Sequence, residues 1–398
     1  MKFLLYECKK LFDIKLLLLL ALFTFLFYSM FMRITIHPED SAGCEAQVEL
    51  ASALREDYGT GLDFEEFDVL KELRQTQIEA LDEMVRESGI LQEAGITTYD
   101  QLRGLDYAEV SPAIRKEESR IVFEDGIRYV FLKQEIESVY EMVERLSLYG
   151  VEPGKGAESA ELFLRSKYGD KYMEDAVLRV AEVMEENHMT LLPRNILFHL
   201  ESDFPRFGIL LIISCLILIL PYQIKERLVG VNALCATTKT GRGIWRKRYG
   251  ASLLSCFLVC LMQVAAFCFV LRRSGVLQYW NYPVNGNSTY FYWFDMTLGM
   301  YLVLKIALYV LLCLCMTAVF FLVSRISSNY VVGTAIGAPV AALFGVLTAG
   351  FTGYFLTVTK GIGYNLLRPI GFAVVLLCVA VVILYVMNKN DKRKDIFV

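Results

Sequence analysis

The chain of 398 residues is 55% apolar and carries 40 Lys and Arg against 44 Asp and Glu, a formal net charge of -4. Several uninterrupted apolar runs reach the ~20 residues a helix needs to cross a bilayer, which excludes an ordinary soluble enzyme and points to a polytopic membrane protein. The near-neutral total hides a division: residues 33–205 hold about 38 acids against 18 bases, and the rest about 22 bases against 6 acids, so the chain is shared between two compartments.

Residues 1–15 are basic and amphipathic. Leu4, Cys8, Leu11 and Phe12 share one helical face, while Lys2, Lys9 and Lys10 lie mostly elsewhere. This reads as a cytosolic interfacial helix leading into a span. Residues 16–32 form the first span. A signal peptide is the alternative, but the run exceeds a usual signal core and no small-x-small cleavage site follows. Ser41 to Cys44 resembles a lipoprotein cleavage site only faintly and is displaced from the apolar run.

Residues 33–205 read as a large helical extracytoplasmic domain. Phe67, Leu70, Leu73, Leu81 and Met84 make an apolar stripe that stops at Gly89. Ser111-Pro112 is a helix start, with Ser as cap and Pro in the first turn. Apolar residues from Ile114 to Leu146 continue that helix to Gly150. A last amphipathic helix runs near Tyr172, Ala176, Val180 and Met184.

Residues 206–222 are the second span, ending at Pro221. Residues 223–249 form a basic loop, and between Lys225 and Tyr249 about seven Lys or Arg face the single acid Glu226. That is the charge signature of a cytosolic loop. Leu228, Val231 and Leu234 recur at helical spacing, so Glu226 to Cys235 reads as a short amphipathic helix at the inner membrane face.

Residues 250–387 hold the remaining four spans: 250–271, about 296–323, 330–348 and 369–387. The loop 272–295 is dense in Tyr, Trp and Phe, as membrane interfaces are. Residues 388–398 are a basic tail. About four Lys or Arg in the N-terminal segment, seven in the central loop and four in the tail exceed the two in each opposite loop. Both termini are therefore expected in the cytosol.

Within the spans, Lys305 is the one deeply placed charge. It must snorkel, find a partner or serve a pathway, because burial in lipid costs at least ~2.5 kcal/mol. Gly333, Gly337, Ala341, Gly345, Ala349 and Gly353 are small at every fourth position. Such a stripe lets another helix approach closely, and a six-residue turn makes the fourth span the expected neighbour at Gly333 and Gly337. Phe351 to Val358 is too short to cross and reads as re-entrant.

Of the cysteines, Cys215, Cys256, Cys260, Cys268, Cys313, Cys315 and Cys378 lie in apolar runs, Cys8 and Cys235 in basic segments, and Cys44 alone in the acidic region. The acidic region thus has no disulfide framework. His37, His188 and His199 have no metal-ligand spacing, so no metal site is expected. Gly150 to Gly156 has the wrong spacing for a phosphate loop. The paired acids Glu65-Glu66 and Glu185-Glu186 suit solvated helix faces. No catalytic constellation and no nucleic-acid signature stands out.

The acid after the second span, the Gly four residues on, the short apolar run, Thr238-Lys239-Thr240-Gly241-Arg242 and the basic entry to the third span resemble the permease subunits of the type-2 ABC export superfamily. The span layout extends the resemblance over most of the chain except the acidic insert. The resemblance implies that this loop carries a coupling helix meeting a cytosolic ABC ATPase, with Glu226, Gly230, Leu234 and Arg242 as coupling residues. It also implies a second permease copy or homologue, a plasma-membrane location, ATP bound only by the partner subunit, and a re-entrant element before the last span. The rival reading is a receptor or sensor whose outer domain binds a ligand without transport.

Overall fold

The computed structural model describes residues 2–32, 42–63, 66, 68–106, 110–148, 160–161, 164–165, 169, 173–185, 188–229, 244–286, 290–353, 355–358 and 362–394. Helix α1 (Lys2–Leu11) leads through Asp13, whose carboxylate accepts the Lys15 N–H, into α2 (Ile14–Phe31), the first apolar span. The insert begins with α3 (Ala42–Tyr58) and strand β1 (Gly61–Asp63). It continues with α4 (Asp68–Glu87), two short helices, α5 (Gly89–Glu93) and α6 (Tyr99–Arg103), then α7 (Pro112–Arg120), α8 (Ile127–Leu148) and α9 (Glu174–Glu185). Strand β2 (His188–Thr190) pairs antiparallel with β1, Leu62 opposite Met189.

Five further spans follow: α10 (Arg194–Leu228), α11 (Ile244–Arg273), α12 (Leu298–Ile326), α13 (Tyr330–Thr352) and α14 (Ile362–Lys394). With α2, six helices are long and apolar enough to cross a membrane, so the chain is an all-α polytopic membrane protein. Thr297 and Asn329 cap α12 and α13, each side-chain oxygen accepting a backbone N–H from the first turn.

α10 is the centre of the bundle. Its apolar window is 78% buried, against 17% for α2 and 28% for α13 and α14. It packs most extensively against α12 and α13. The outer faces stay apolar: Leu18, Leu22, Phe25, Val346, Val374 and Val382 are all exposed, as lipid-facing residues must be. Polar contacts tie the interior. Gln263 on α11 donates to Thr24 on α2 at 2.7 Å and to Ser214 on α10 at 3.2 Å. Ser324 on α12 donates to the Leu220 carbonyl at 2.7 Å.

Three features depart from the sequence reading. The helix expected from Pro112 to Gly150 is broken by a wider turn over Ile121–Asp125. Gly126 ends that turn so tightly that a Cβ there would stand 2.2 Å from the Ile121 carbonyl oxygen. Next, the helix that carries the second span starts at Arg194, not after Pro205. α10 runs unbroken from the insert into the bundle and keeps Pro205 and Pro221 inside it. Finally, Phe351 and Thr352 finish α13, and the chain then turns to pair with the aromatic loop. Trp293 N–H donates to the Leu356 carbonyl at 3.0 Å, and Val358 N–H to the Phe291 carbonyl at 2.6 Å. Among the described residues, 355–358 form no helix of their own.

The aromatic loop is a packed joint more than a lipid-facing belt. Tyr279, Tyr282, Phe291, Tyr292 and Trp293 are buried, although Trp280 and Phe294 remain exposed. Phe291, Trp293 and Val358 form one apolar cluster with Ala176, Val180 and Val183 of α9. Arg179 of α9 donates to the Tyr292 carbonyl at 3.2 Å and pairs with Asp295. The insert is thereby bolted to one end of the bundle. A separate core of Leu81, Leu91, Tyr99, Leu102, Ile121 and Val130 holds α4 to α8 together.

Candidate functional site

At the opposite end of the bundle, α1, α10 and α11 meet through a buried ionic knot. Glu226 lies in the last turns of α10 and is only 8% exposed. Its carboxylate accepts from Lys10 of α1 at 2.9 Å and from Arg248 of α11. Glu7 of α1, buried beside it, accepts from Lys10 at 3.1 Å and from the Tyr222 hydroxyl, and stands 3.9 Å from the Arg248 guanidinium. Two carboxylates, one ammonium and one guanidinium give the knot no formal net charge, the condition under which buried ions are tolerable. Partial burial pulls the Lys10 ammonium pKa down, but the hydrogen bonds to Glu226 and Glu7 outweigh it and hold the pKa above its ordinary value.

This knot sits at the root of the basic segment. Glu226 to Leu228 belong to the last turn of α10, and residues 230–235 of the expected amphipathic helix lie outside the described residues. Gly230, Leu234 and Arg242 lie outside the described residues. Arg246, just beyond them, donates to Asn388 near the end of α14. The N-terminal helix, the two described ends of the basic segment and the end of the last span therefore meet at one end of the bundle.

Near the insert, Lys305 is 1% exposed and finds a partner: its ammonium is 3.0 Å from Glu201 of α10. Tyr301 donates to the other Glu201 oxygen at 2.7 Å, and the ammonium also lies over the Phe204 and Tyr301 rings at 5.7 and 5.4 Å. This pairing, not snorkelling, accommodates the charge. Two residues after Glu201, Asp203 is fully buried and accepts from Arg206 at 2.8 Å.

The small-residue stripe of α13 packs against α10, not against the sequential neighbour α12. A Cβ on Gly333 would stand 2.7 Å from Ile224 Cδ1, on Gly337 3.0 Å from Leu216 Cδ1, and on Gly345 3.2 Å from Ile209 Cγ1. Ala341 is buried on the same face. Ala349 is only half-buried, and Gly353 is the C-cap, where a Cβ would meet the Ala349 carbonyl oxygen at 3.1 Å. The contact passes instead to Thr348 and Thr352, because a fourfold repeat drifts about 40° per step around a 3.6-residue helix.

Sequence reasoning missed Glu7, Tyr222 and Arg248, which look like ordinary interfacial residues until three helices bring them together. It missed Glu201 because the acidic insert was read as continuing to Pro205. The available signal was an acid placed directly before a long apolar run, on the same helix. Comparison with protein-family models, with curated proteins and with solved structures finds no match to this chain.

Proposed function

We propose that this chain is the membrane permease subunit of an ABC exporter in the plasma membrane. Two such units, identical or homologous, form the path. ATP is bound and hydrolysed on a separate cytosolic ABC ATPase, and this chain has no enzymatic activity of its own. The termini and the basic segment face the cytosol, and the insert is extracytoplasmic. The positive-inside asymmetry supports that orientation.

One observation carries the reading: the neutral knot of Glu7, Lys10, Glu226 and Arg248 joins three helices at the point where the basic segment leaves the bundle. A partner that pushes on residues 230–243 acts on a site already fastened to α1, α10 and α11. Such fastening turns a local contact into a movement of packed helices, which are bistable more readily than they are deformable. A positive-inside anchor alone requires no buried ion network.

The test is co-expression with an ABC ATPase encoded beside this gene. Gly230→Leu and Arg242→Glu should insert normally, yet lose ATPase co-purification and ATP-dependent efflux. Unchanged co-purification and efflux in both variants would reject the docking role.

The receptor reading draws on a different observation, the bolting of α9 to the aromatic loop by Arg179 and Asp295. Ligand binding to the full chain with no ATP-dependent transport would favour it.

A further inference from the structure

Three spans place cysteines near mid-helix, and one sulfur from each converges on a common spot. Cys215 of α10, Cys260 of α11 and Cys313 of α12 have sulfur atoms within 4.8 Å of one another. Cys215 and Cys260 are fully buried and Cys313 is 1% exposed. The Cys313 thiol donates to the Cys215 sulfur at 3.3 Å. Cys256, one turn before Cys260 and equally buried, lies within hydrogen-bond reach of Cys215. Buried cysteine is common as a small apolar filler. Filling space does not require three sulfurs from three helices to point at one spot.

We propose that Cys215, Cys260 and Cys313 form a binding site for a soft monovalent metal ion of the copper(I) class. The donor set selects the ion. Thiolate sulfur favours copper(I), zinc and iron–sulfur centres over hard cations, which take oxygen ligands. Three sulfurs at ~2.3 Å around a common centre stand about 4 Å apart, which the observed cluster can meet with small adjustments. Cys256 is not among the three sulfurs that lie within 4.8 Å of one another, so zinc, which takes four ligands, would complete its set there with water. Copper(I) is satisfied by three sulfurs and needs no water in this dry interior.

Binding balances as proton release. Thiolate is the ligand form of cysteine, so Cu⁺ plus three thiols gives three Cu–thiolate bonds and three released protons. No electron is transferred, and the protons leave to solvent. The site is independent of the transport reading, since any output of the bundle is compatible with a metal that ties α10, α11 and α12.

The experiment uses the full chain, purified in detergent, reduced and kept anaerobic. Copper(I) is titrated against a chromogenic copper(I) chelator. The wild type and Cys378→Ser, which alters an exposed cysteine on α14, should each hold one ion per chain. Cys260→Ser should lose affinity by more than the ~10–100-fold that follows loss of a merely supporting group. X-ray absorption of the loaded wild type, which requires no variant to fold, should show sulfur neighbours only. Failure of the wild type to hold copper(I), equal retention by Cys260→Ser, nitrogen or oxygen neighbours, or a preference for zinc would each overturn the assignment.

Discussion

Glu226 of α10 and Lys10 of α1 are 216 residues apart in sequence and 2.9 Å apart in space. Their contact fastens the N-terminal helix to the central span, and Arg248 closes it from the far side. Removing one member of such a buried set leaves the others charged and unmatched, at a cost of ~3–5 kcal/mol. Glu226→Ala should therefore lower the unfolding temperature of the detergent-solubilised protein markedly. Adding Arg248→Met should recover much of the loss, since the stranded guanidinium is then gone. Strictly additive losses in the double variant would mean that the two residues do not act together.

Lys305 and Glu201 make the equivalent pair at the insert end. Lys305→Met should destabilise the protein by a similar ~3–5 kcal/mol, and Lys305→Met with Glu201→Gln by much less. Survival of monodisperse protein after graded heating reads this directly. A Lys305→Met protein with wild-type stability and impaired efflux would instead assign the lysine to the translocation path.

Gly337→Leu drives a branched side chain into Leu216 of α10 and should cost ~1–3 kcal/mol, the usual range for overpacking. Leu216→Ala should relieve part of it. Leu343→Ala, on a face that is exposed in the bundle, should change little. Relief by small substitutions on α12 but none by Leu216→Ala would contradict the α10 contact.

Topology is tested by thiol chemistry. In intact cells a membrane-impermeant maleimide should label Cys44 and spare Cys235. Labelling of Cys235 alone would reverse the proposed orientation.

The spans were legible because a bilayer demands long apolar runs, and composition alone reveals those. The small-residue stripe was legible as a contact face, but its partner was not. Adjacency in sequence pointed to α12, whereas Gly333 and Gly337 meet Ile224 and Leu216 of α10. A single sequence records which face wants a neighbour and not which helix arrives. The ionic pairs were hidden for the same reason. Glu7, Glu201 and Arg248 each carry a charge that water at a membrane edge would satisfy, and only the tertiary arrangement removes that water. The β1–β2 pair, three residues on each side, is too short to leave an alternating pattern.

The continuity of α10 has a mechanical consequence. Its 35 residues span about 52 Å, well beyond the ~30 Å apolar thickness of a bilayer. Glu226 and Glu201 sit on the same rod, ~37 Å apart. The helix is continuous from Arg194 to Leu228, and only residues 191–193 stand between it and the strand pair of the insert, so a tilt of the helix acts as a lever. Tilted by 5° about its Glu226 end, it moves its Arg194 end by ~4–5 Å. A push at one end of the helix would then appear at the other as a displacement about the size of a side chain.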